Sequence, residues 1–200
     1  MPYVDIAAIA AAYMLGTFPS ALLAGRRRGV DPTRSGSGNP GTTNVLRTAG
    51  RQAAALTLVG DAGKGVVAAA LGWAVGGHGL GVACGVAAVV GHVAPVTRGF
   101  KGGKGVATAA GMVAVLYPLL AVFGALVFVG VLVVTRIVSV ASMAAVVAAA
   151  VVAAAVAAVT GEHGWEAAGL ALCAALVVAR HAGNIRRLAR GEESGATLPP

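Results

Sequence analysis

A glycine-rich polar segment, RSGSGNPGTTNVLR over residues 34–47, carries the first group of residues suited to chemistry. Gly36, Gly38 and Gly41 permit positive φ angles and close approach of the backbone to a ligand, and backbone amides curled in this way form an anion-binding nest. A flexible linker is the simpler interpretation, but a linker needs neither two Asn, a Pro nor an arginine on each side. The segment therefore predicts a phosphate-binding loop. Its short polar side chains are those of Ser37, Asn39, Thr42, Thr43 and Asn44.

A second segment, GHVAPVTRGFKGGKGVAT over residues 91–108, places Arg98, Lys101 and Lys104 among glycines at the start of an apolar run. Unpaired N–H groups at a helix start favour phosphate, and lysines add point charge. The segment is not a Walker A loop, because GxxxxGK[ST] is absent and Gly105 follows the lysine, so ATP hydrolysis is disfavoured. Alternatively, the three cations serve only as a topology signal or contact lipid headgroups. The GGKG core makes this the weaker interpretation.

Two opposite charges, Asp61 and Lys64, lie within an apolar segment. Because they are three residues apart, they share one face of a helix and can pair. Ionisable residues at membrane depth are functional by default, but a structural ion pair between helices explains them equally well. Both interpretations stay open.

The last polar group joins the start of an apolar helix near Ser142 to the C-terminal tail. Ser142 suits helix packing as well as ligand contact. His92 and His181 could bind phosphate or shuttle a proton, whereas His78 and His163 fall in short outer loops and are expected to be solvated. The other polar residues of this group are Arg136, Ser139, Asn184, Arg186, Arg187, Glu192 and Glu193.

The composition indicates a membrane protein, since 58% of the 200 residues are hydrophobic and only 11% are charged, against about 25% charged in soluble domains. The first apolar stretch is too long for a signal-peptide core and lacks a basic start, which predicts a retained span. Cys84 and Cys173 lie in apolar runs and are predicted to be buried, with no metal-ligand spacing. The net charge of +8 does not indicate nucleic-acid binding, because the cations lack interleaved aromatics.

The polar breaks between apolar segments predict the topology. The positive-inside rule places the basic loops, about 25–52 and 98–104, and the tail 182–200 in the cytoplasm. All 15 Lys and Arg then lie on the inner side if block 105–134 turns back at Tyr117–Pro118 as a short helical hairpin. This predicts one all-α integral membrane domain over residues 1–200, a bundle of about seven transmembrane segments, some short, with the N-terminus outside and the C-terminus cytoplasmic; a five-span version stays open. The other apolar segments lie near 3–24, 53–75, 79–97, 137–159 and 165–181.

The stretches SGSGNPGTTNVLR, DAGKG, GHVAPV–FKGGKGVAT, TRIVS and HAGNIRRLARGEE, in this order, resemble the signature segments of the bacterial acyl-phosphate:glycerol-3-phosphate acyltransferase (PlsY) family. Ala94 and Thr97 stand where that family usually has Phe, and Ala182 and Gly183 replace a commoner pair after His181.

The resemblance implies transfer of a fatty acyl group from acyl phosphate to the 1-hydroxyl of sn-glycerol 3-phosphate, giving lysophosphatidic acid and phosphate, the first step of bacterial phospholipid biosynthesis. It implies no metal and no organic cofactor. The expected partners are both substrates, membrane lipid and the enzyme that produces acyl phosphate, with no nucleic acid. The expected location is the bacterial cytoplasmic membrane, with a multi-pass chain whose active site faces the cytoplasm.

The resemblance also assigns residue roles. The residues implied as catalytic are Ser37, Arg47, Lys104, His181 and Asn184, of which the last four, with Ser142, bind glycerol 3-phosphate. The residues implied on the acyl-phosphate side are Ser37, Gly38, Asn39, Thr43, Asn44, Lys101 and Thr108. The remaining residues implied to bind substrate are His92, Gly102, Gly103, Gly105 and Glu193.

The expected mechanism is direct attack on acyl phosphate, with the departing phosphate oxygen accepting the hydroxyl proton. His92 as a general base is the alternative. No Ser-His-Asp arrangement is evident in the sequence, which disfavours an acyl-enzyme intermediate. Two other functions stay open: a transporter or flippase, which would also place polar groups on glycine-broken helices, and a metal-dependent phosphotransferase, which would need clustered carboxylates.

Overall fold

The computed structural model describes residues 2–195, and every regular element in that part of the chain is helical. This confirms the predicted all-α class. The chain divides after Leu116 into two compact units, which are described separately below, and the predicted single domain stays a prediction. The helices are α1 Pro2–Gly16, α2 Ser20–Arg26, α3 Thr42–Val93, α4 Val106–Leu116, α5 Pro118–Thr135, α6 Val138–Thr160, α7 Gly164–Arg180 and α8 Ala182–Ala189.

Helix α3 is interrupted by glycines rather than continuous. Gly76 and Gly77 leave helical geometry, with φ +78° at Gly77, which confirms the break predicted between the second and third spans. Gly50 interrupts the helix a second time, with φ +85°. Because the backbone is helical again from Thr42, the basic loop is shorter than the predicted 25–52.

Two prolines mark further breaks. Tyr117 has non-helical geometry and Pro118 begins α5, so the break at the predicted position is confirmed. The first span is also broken, at residues 17–19 between α1 and α2, because Pro19 has no N–H for a helical hydrogen bond. The sequence analysis instead predicts one uninterrupted span near residues 3–24. The tail predicted as a loop begins with α8, and its last five residues lie outside the described part.

The helices are long and apolar enough for a membrane protein. Four stretches satisfy the length and composition of a span, and a fifth arises if α7 and α8, bent by 53°, count together. When α3 is divided at Gly76–Gly77 and the short apolar α4 is included, residues 2–195 contain seven apolar segments, the number predicted. No residue of α5 is fully buried inside the protein, which suits contact with lipid.

The first unit packs α1, α2 and α4 on α3 through small residues. A Cβ at Gly65 would lie 2.0 Å from the Thr108 carbonyl oxygen, and one at Gly111 would lie 2.1 Å from that of Ala62. Glycine at both positions therefore lets α3 and α4 approach closely, as small residues do between membrane helices. Cys84 is buried in this unit, as predicted.

The second unit packs α5 on α6 and α6 on α7. Near the start of α7, Glu166 accepts a hydrogen bond from the Tyr117 hydroxyl at 3.0 Å and lies 2.9 Å from His163 Nδ1. His163 therefore has a carboxylate partner in addition to solvent. Cys173 is buried, as predicted.

Candidate active site

The first glycine-rich loop is organised from inside by Asn44. Its side-chain oxygen accepts a hydrogen bond from the Ser37 amide at 2.9 Å, and its side-chain nitrogen donates to the carbonyls of Pro32 and Ser35 at 2.8 and 3.0 Å. Asn44 is buried, and a Cβ at Gly36 would lie 2.3 Å from its oxygen. Asn44 therefore holds the loop together, and its predicted contact with substrate stays a prediction.

The outer face of this loop presents donors. Ser37, Gly38, Thr43 and Arg47 are exposed. Thr43 and Arg47 are four residues apart at the start of α3, so they share one face of the helix. No side chain caps this helix start, so the positive end of the helix dipole lies beside the loop. This arrangement suits an anion such as phosphate.

At the entry to this loop, Asp31 forms a compact turn with Thr33. Its carboxylate accepts hydrogen bonds from the Thr33 hydroxyl at 2.7 Å and the Thr33 amide at 2.9 Å. These two bonds lower the pKa of Asp31 below its usual value, so the turn keeps its negative charge at neutral pH.

The second loop is tied to α1 by Tyr13. The Tyr13 hydroxyl donates to the Ala94 carbonyl at 2.9 Å and accepts from the Val96 amide at 3.0 Å. A 3-10 turn, Val96–Arg98, follows, and Lys101 is exposed while Lys104 is half-buried. Nothing in the sequence distinguished Tyr13 from other aromatic residues of an apolar span, so its role was not predicted.

The glycines of the second loop are packed rather than open. Gly102, Gly103 and Gly105 are buried. The Gly103 amide donates to the His92 carbonyl at 3.0 Å, and a Cβ at Gly102 would lie 2.0 Å from the same oxygen. Gly102 and Gly103 therefore pack closely against the end of α3, and the predicted substrate contacts of all three glycines stay predictions.

His92 lies beneath this loop, at the end of α3. Its ring is buried, with Nδ1 3.4 Å from Asp61 Oδ1, and a Cβ at Gly103 would lie 2.1 Å from Nε2. Because the ring is enclosed between Asp61 and the loop, the structure favours a supporting role for His92; its predicted substrate contact and the general-base alternative stay predictions.

Thr108, near the start of α4, is also buried. It is 0% exposed and its carbonyl faces Gly65 across the α3–α4 contact. The predicted substrate contact of the Thr108 side chain stays a prediction. Thr108 lies three positions after the loop, on the buried side of α4. Local sequence alone does not show which side of α4 is buried.

A pocket of about 420 Å³ adjoins the second loop within the first unit. It combines an apolar wall with two cationic side chains, which is what an anionic lipid requires. Its lining includes Phe18, Leu22, Arg26, Thr97 and Arg98.

In the second unit, Glu193 ties the tail to two helices. Its carboxylate accepts hydrogen bonds from the Ser139 hydroxyl at 2.8 Å, from Asn184 Nδ2, and from Arg187 Nε at 2.7 Å. Burial raises the pKa of Glu193, but these hydrogen bonds and the charge of Arg187 outweigh that effect and hold the pKa below its usual value. Glu193 therefore anchors the tail, and its predicted contact with substrate stays a prediction.

Ser142, His181 and Asn184 are buried in the same unit. His181 lies at the junction of α7 and α8, with Nδ1 2.7 Å from the Val177 carbonyl oxygen. Because a carbonyl only accepts, Nδ1 carries the proton, and the ring orientation is fixed. Asn184 follows on the next turn and donates to Glu193. Their predicted roles in substrate binding stay predictions.

Within residues 2–195, no group of three or more His, Cys, Asp or Glu side chains is arranged to hold a metal ion.

Comparisons with known proteins agree on one family. The sequence profile described as glycerol-3-phosphate acyltransferase matches residues 6–191. The chain is 44% identical over 189 residues to a glycerol-3-phosphate acyltransferase of Thioalkalivibrio sulfidiphilus, covering 94% of this chain and 91% of that protein. It is 44% identical over 197 residues to one of Neisseria gonorrhoeae, covering 95% and 96%.

The fold agrees as well. Crystal structures of PlsY, an integral membrane glycerol 3-phosphate acyltransferase, match with a TM-score of 0.86. The glycerol 3-phosphate form is 35% identical and covers 97% of this chain and 96% of that one. The lysophosphatidic acid form is 33% identical and covers 98% and 96%. With its apolar helices, the protein is an all-α integral membrane protein, and the chain belongs to the glycerol-3-phosphate acyltransferase family.

Proposed function

We propose that the enzyme transfers a fatty acyl group from acyl phosphate to the 1-hydroxyl of sn-glycerol 3-phosphate. The products are lysophosphatidic acid and inorganic phosphate, and the reaction is the first step of bacterial phospholipid biosynthesis. The family supports the acceptor, since the similar PlsY structures are glycerol 3-phosphate and lysophosphatidic acid forms. The observation that carries the phosphate chemistry is the uncapped start of α3, with Thr43 and Arg47 exposed on one face beside the loop.

Charge is the main demand of this reaction. Two phosphorylated substrates carry about three to four negative charges at neutral pH, so they repel each other unless cations and N–H groups hold them. The first loop offers Ser37, Gly38, Thr43 and Arg47, and the second offers Lys101 and Lys104. Holding two anions together supplies rate through proximity, while the apolar helices suit the acyl chain.

The remaining assignments follow the family resemblance. As the resemblance implies, we assign Arg47, Lys104, Ser142, His181 and Asn184 to glycerol 3-phosphate. Ser37, Gly38, Asn39, Thr43 and Lys101 are assigned to acyl phosphate and to the oxyanion that develops on its carbonyl oxygen. The contacts of Asn44, His92 and Glu193 within the protein support a role in holding the site together, so the proposal does not use them as ligands. The substrate contacts of Gly102, Gly103, Gly105 and Thr108 stay predictions.

The chemical step is a direct displacement. The 1-hydroxyl oxygen of glycerol 3-phosphate attacks the acyl carbonyl carbon, the bond from that carbon to the phosphate oxygen breaks, and the departing phosphate accepts the hydroxyl proton. The mixed anhydride is already activated, so stabilisation of the leaving phosphate by N–H and cationic donors is the main requirement. His92 is enclosed beneath Gly103, which favours the substrate as proton acceptor.

The proposed location is the bacterial cytoplasmic membrane, with the active site facing the cytoplasm. The gathering of Lys and Arg in the polar breaks 25–52 and 98–104 and in the tail supports this orientation. Acyl phosphate is an unstable amphiphile, so the enzyme that produces it is the expected partner.

Purified protein, palmitoyl phosphate and labelled glycerol 3-phosphate in EDTA test the proposal. We expect labelled lysophosphatidic acid, and none when palmitoyl-CoA replaces palmitoyl phosphate. Activity only after Mg²⁺ addition would favour the metal-dependent phosphotransferase. Lysophosphatidic acid formation from palmitoyl-CoA but not from palmitoyl phosphate would overturn the proposed donor.

A further inference from the structure

We propose that Asp61, Lys64 and His92 form a positioning network that sets the place of the 101–105 loop through the His92 ring. The proposal rests on the function proposed above for that loop. None of the three residues touches substrate in this account. They act by fixing where Lys101 and Lys104 stand.

The network is a buried set of charged and polar side chains at the centre of the first unit. Lys64 Nζ lies 3.0 Å from Asp61 Oδ1, and His92 Nδ1 lies 3.4 Å from the same oxygen. Asp61 is 3% and Lys64 4% exposed. Both charges are thus removed from solvent, and Asp61 Oδ1 faces a cation and an imidazole at once.

One end of the network meets the second loop. The His92 ring lies directly beneath Gly103, where a Cβ would come within 2.1 Å of Nε2. The His92 carbonyl accepts the Gly103 amide at 3.0 Å. The ring and the backbone of one residue therefore both contact the glycine that immediately precedes Lys104.

The other end meets the break in the first span. Lys64 Nζ donates to the Phe18 carbonyl at 3.2 Å, at the point where Pro19 ends the helical hydrogen-bonding pattern. The network therefore links four parts of the first unit: the α1–α2 break, the α3 segments before and after Gly76–Gly77, and the second loop.

Stability alone does not require such a network. Replacing a buried ion pair by apolar residues of similar size is often neutral or stabilising, whereas removing one partner strands the other charge. A purely structural pair and a positioning network therefore make different predictions for a double substitution.

The first test compares Asp61→Leu and Lys64→Met with the double variant that carries both. Each single variant should lower the thermal stability of the purified enzyme, and the double variant should regain most of it. The double variant should still show a KM for glycerol 3-phosphate raised about tenfold or more, because a loop displaced by about 1 Å misplaces its ligands. Recovery of both stability and KM would show that the pair is only structural and would overturn the proposal.

The second test does not depend on that double variant folding. Gly103→Ala should raise the KM for glycerol 3-phosphate because its Cβ meets the His92 ring, and adding His92→Ala should relieve part of the increase by removing the ring. Gly102→Ala is the matched control, since its Cβ would meet the backbone oxygen of His92, which His92→Ala leaves in place. The role of the ring would be contradicted if His92→Ala lowered the KM of both glycine variants equally. It would also be contradicted if His92→Ala lowered the KM of neither.

A third measurement separates this proposal from the proposed function. Phe100 is 62% exposed, and the native Cys84 and Cys173 are buried, so Phe100→Cys gives a reactive thiol in the loop. Its maleimide labelling rate should change at least severalfold when the network is replaced, with no substrate present; an unchanged rate would overturn the network proposal. If the labelling rate changes but Lys104→Ala leaves the KM for glycerol 3-phosphate unaltered, the result contradicts the function proposed for the loop. The same result supports the positioning network.

Discussion

At the residue scale, single buried polar side chains organise the loops that carry the exposed donors. Asn44 holds the first loop through three hydrogen bonds to backbone groups, His92 supports the second, and Glu193 anchors the tail through Ser139, Asn184 and Arg187. The side chains of these three supporting residues are largely buried and make their contacts within the protein, whereas Ser37, Thr43, Arg47 and Lys101 of the two loops are exposed. The distinction between a ligand and the residue that holds it is visible only in three dimensions.

Lys104→Ala tests the second loop directly. It should raise the KM for glycerol 3-phosphate by about tenfold or more, because it removes a charge that holds the substrate phosphate, while thermal stability stays near that of the wild type. Steady-state kinetics with glycerol 3-phosphate varied would measure it. Arg190→Ala is the control, since Arg190 is an exposed cation of the tail outside the proposed site. An equal KM change in both variants would mean that only net charge matters.

The depressed pKa of Glu193 predicts how tail stability depends on pH. Because the folded pKa is below the unfolded value of about 4.3, the ionised carboxylate stabilises the folded state above that value, and this contribution is lost as pH falls through the folded pKa. Glu193→Gln should therefore lower stability at pH 7 by about 2 kcal/mol, as expected for hydrogen bonds to a charged group.

Thermal unfolding of both proteins between pH 7 and pH 3 measures this difference. The difference in stability between the wild type and Glu193→Gln should become smaller as the pH falls toward 3. A difference of constant size would show that the lost stability does not come from the carboxylate charge.

At the element scale, the contact of α3 with α4 depends on glycine. Gly65→Ala should destabilise the first unit by about 1–3 kcal/mol, because its Cβ would collide with the Thr108 carbonyl and overpack the contact. Gly63 lies on the same helix with nothing within 4 Å of a Cβ, so Gly63→Ala should be neutral or slightly stabilising. Thermal unfolding in detergent compares the two. Equal destabilisation would contradict the proposed close approach.

The sequence predicted most helix breaks because their causes are local. Gly76–Gly77 and Pro118 interrupt helices where a left-handed conformation or a missing N–H demands it. The break at Pro19 was not predicted, because the surrounding apolar run is long enough to span a membrane by itself. The helical turns from Thr42 to Ala49 were hidden within a segment whose glycines and polar residues suggested a loop.

At the whole-molecule scale, the distribution of cations predicts sidedness. In intact cells, a membrane-impermeant maleimide should label Glu162→Cys in the outer loop between α6 and α7, but not Arg190→Cys in the tail. Both positions are exposed, and both native cysteines are buried. After the membrane is permeabilised, both variants should label. Labelling of Arg190→Cys before permeabilisation would show that the tail lies outside and would contradict the predicted topology.

Sequence motifs identified the family and the two loops, but not the internal organisation of the site. Spacing indicated correctly that Asp61 and Lys64 can pair, and it could not show that His92 joins them, since His92 is 28 residues beyond Lys64. The sequence analysis predicts Lys101, Gly102, Gly103, Lys104, Gly105 and Thr108 together as ligands. The structure separates the half-buried Lys104 from the enclosed glycines and Thr108, because burial on one side of a helix depends on what packs against it.

Direct transfer between the two substrates is the central claim, and phosphate exchange tests it most directly. The purified enzyme is incubated with palmitoyl phosphate and [³²P]phosphate, first without and then with unlabelled glycerol 3-phosphate. Direct attack predicts no label in palmitoyl phosphate without the acceptor, and release of one phosphate for each lysophosphatidic acid formed once the acceptor is added. Acceptor-independent exchange of label into palmitoyl phosphate would demonstrate an acyl-enzyme intermediate and contradict the mechanism.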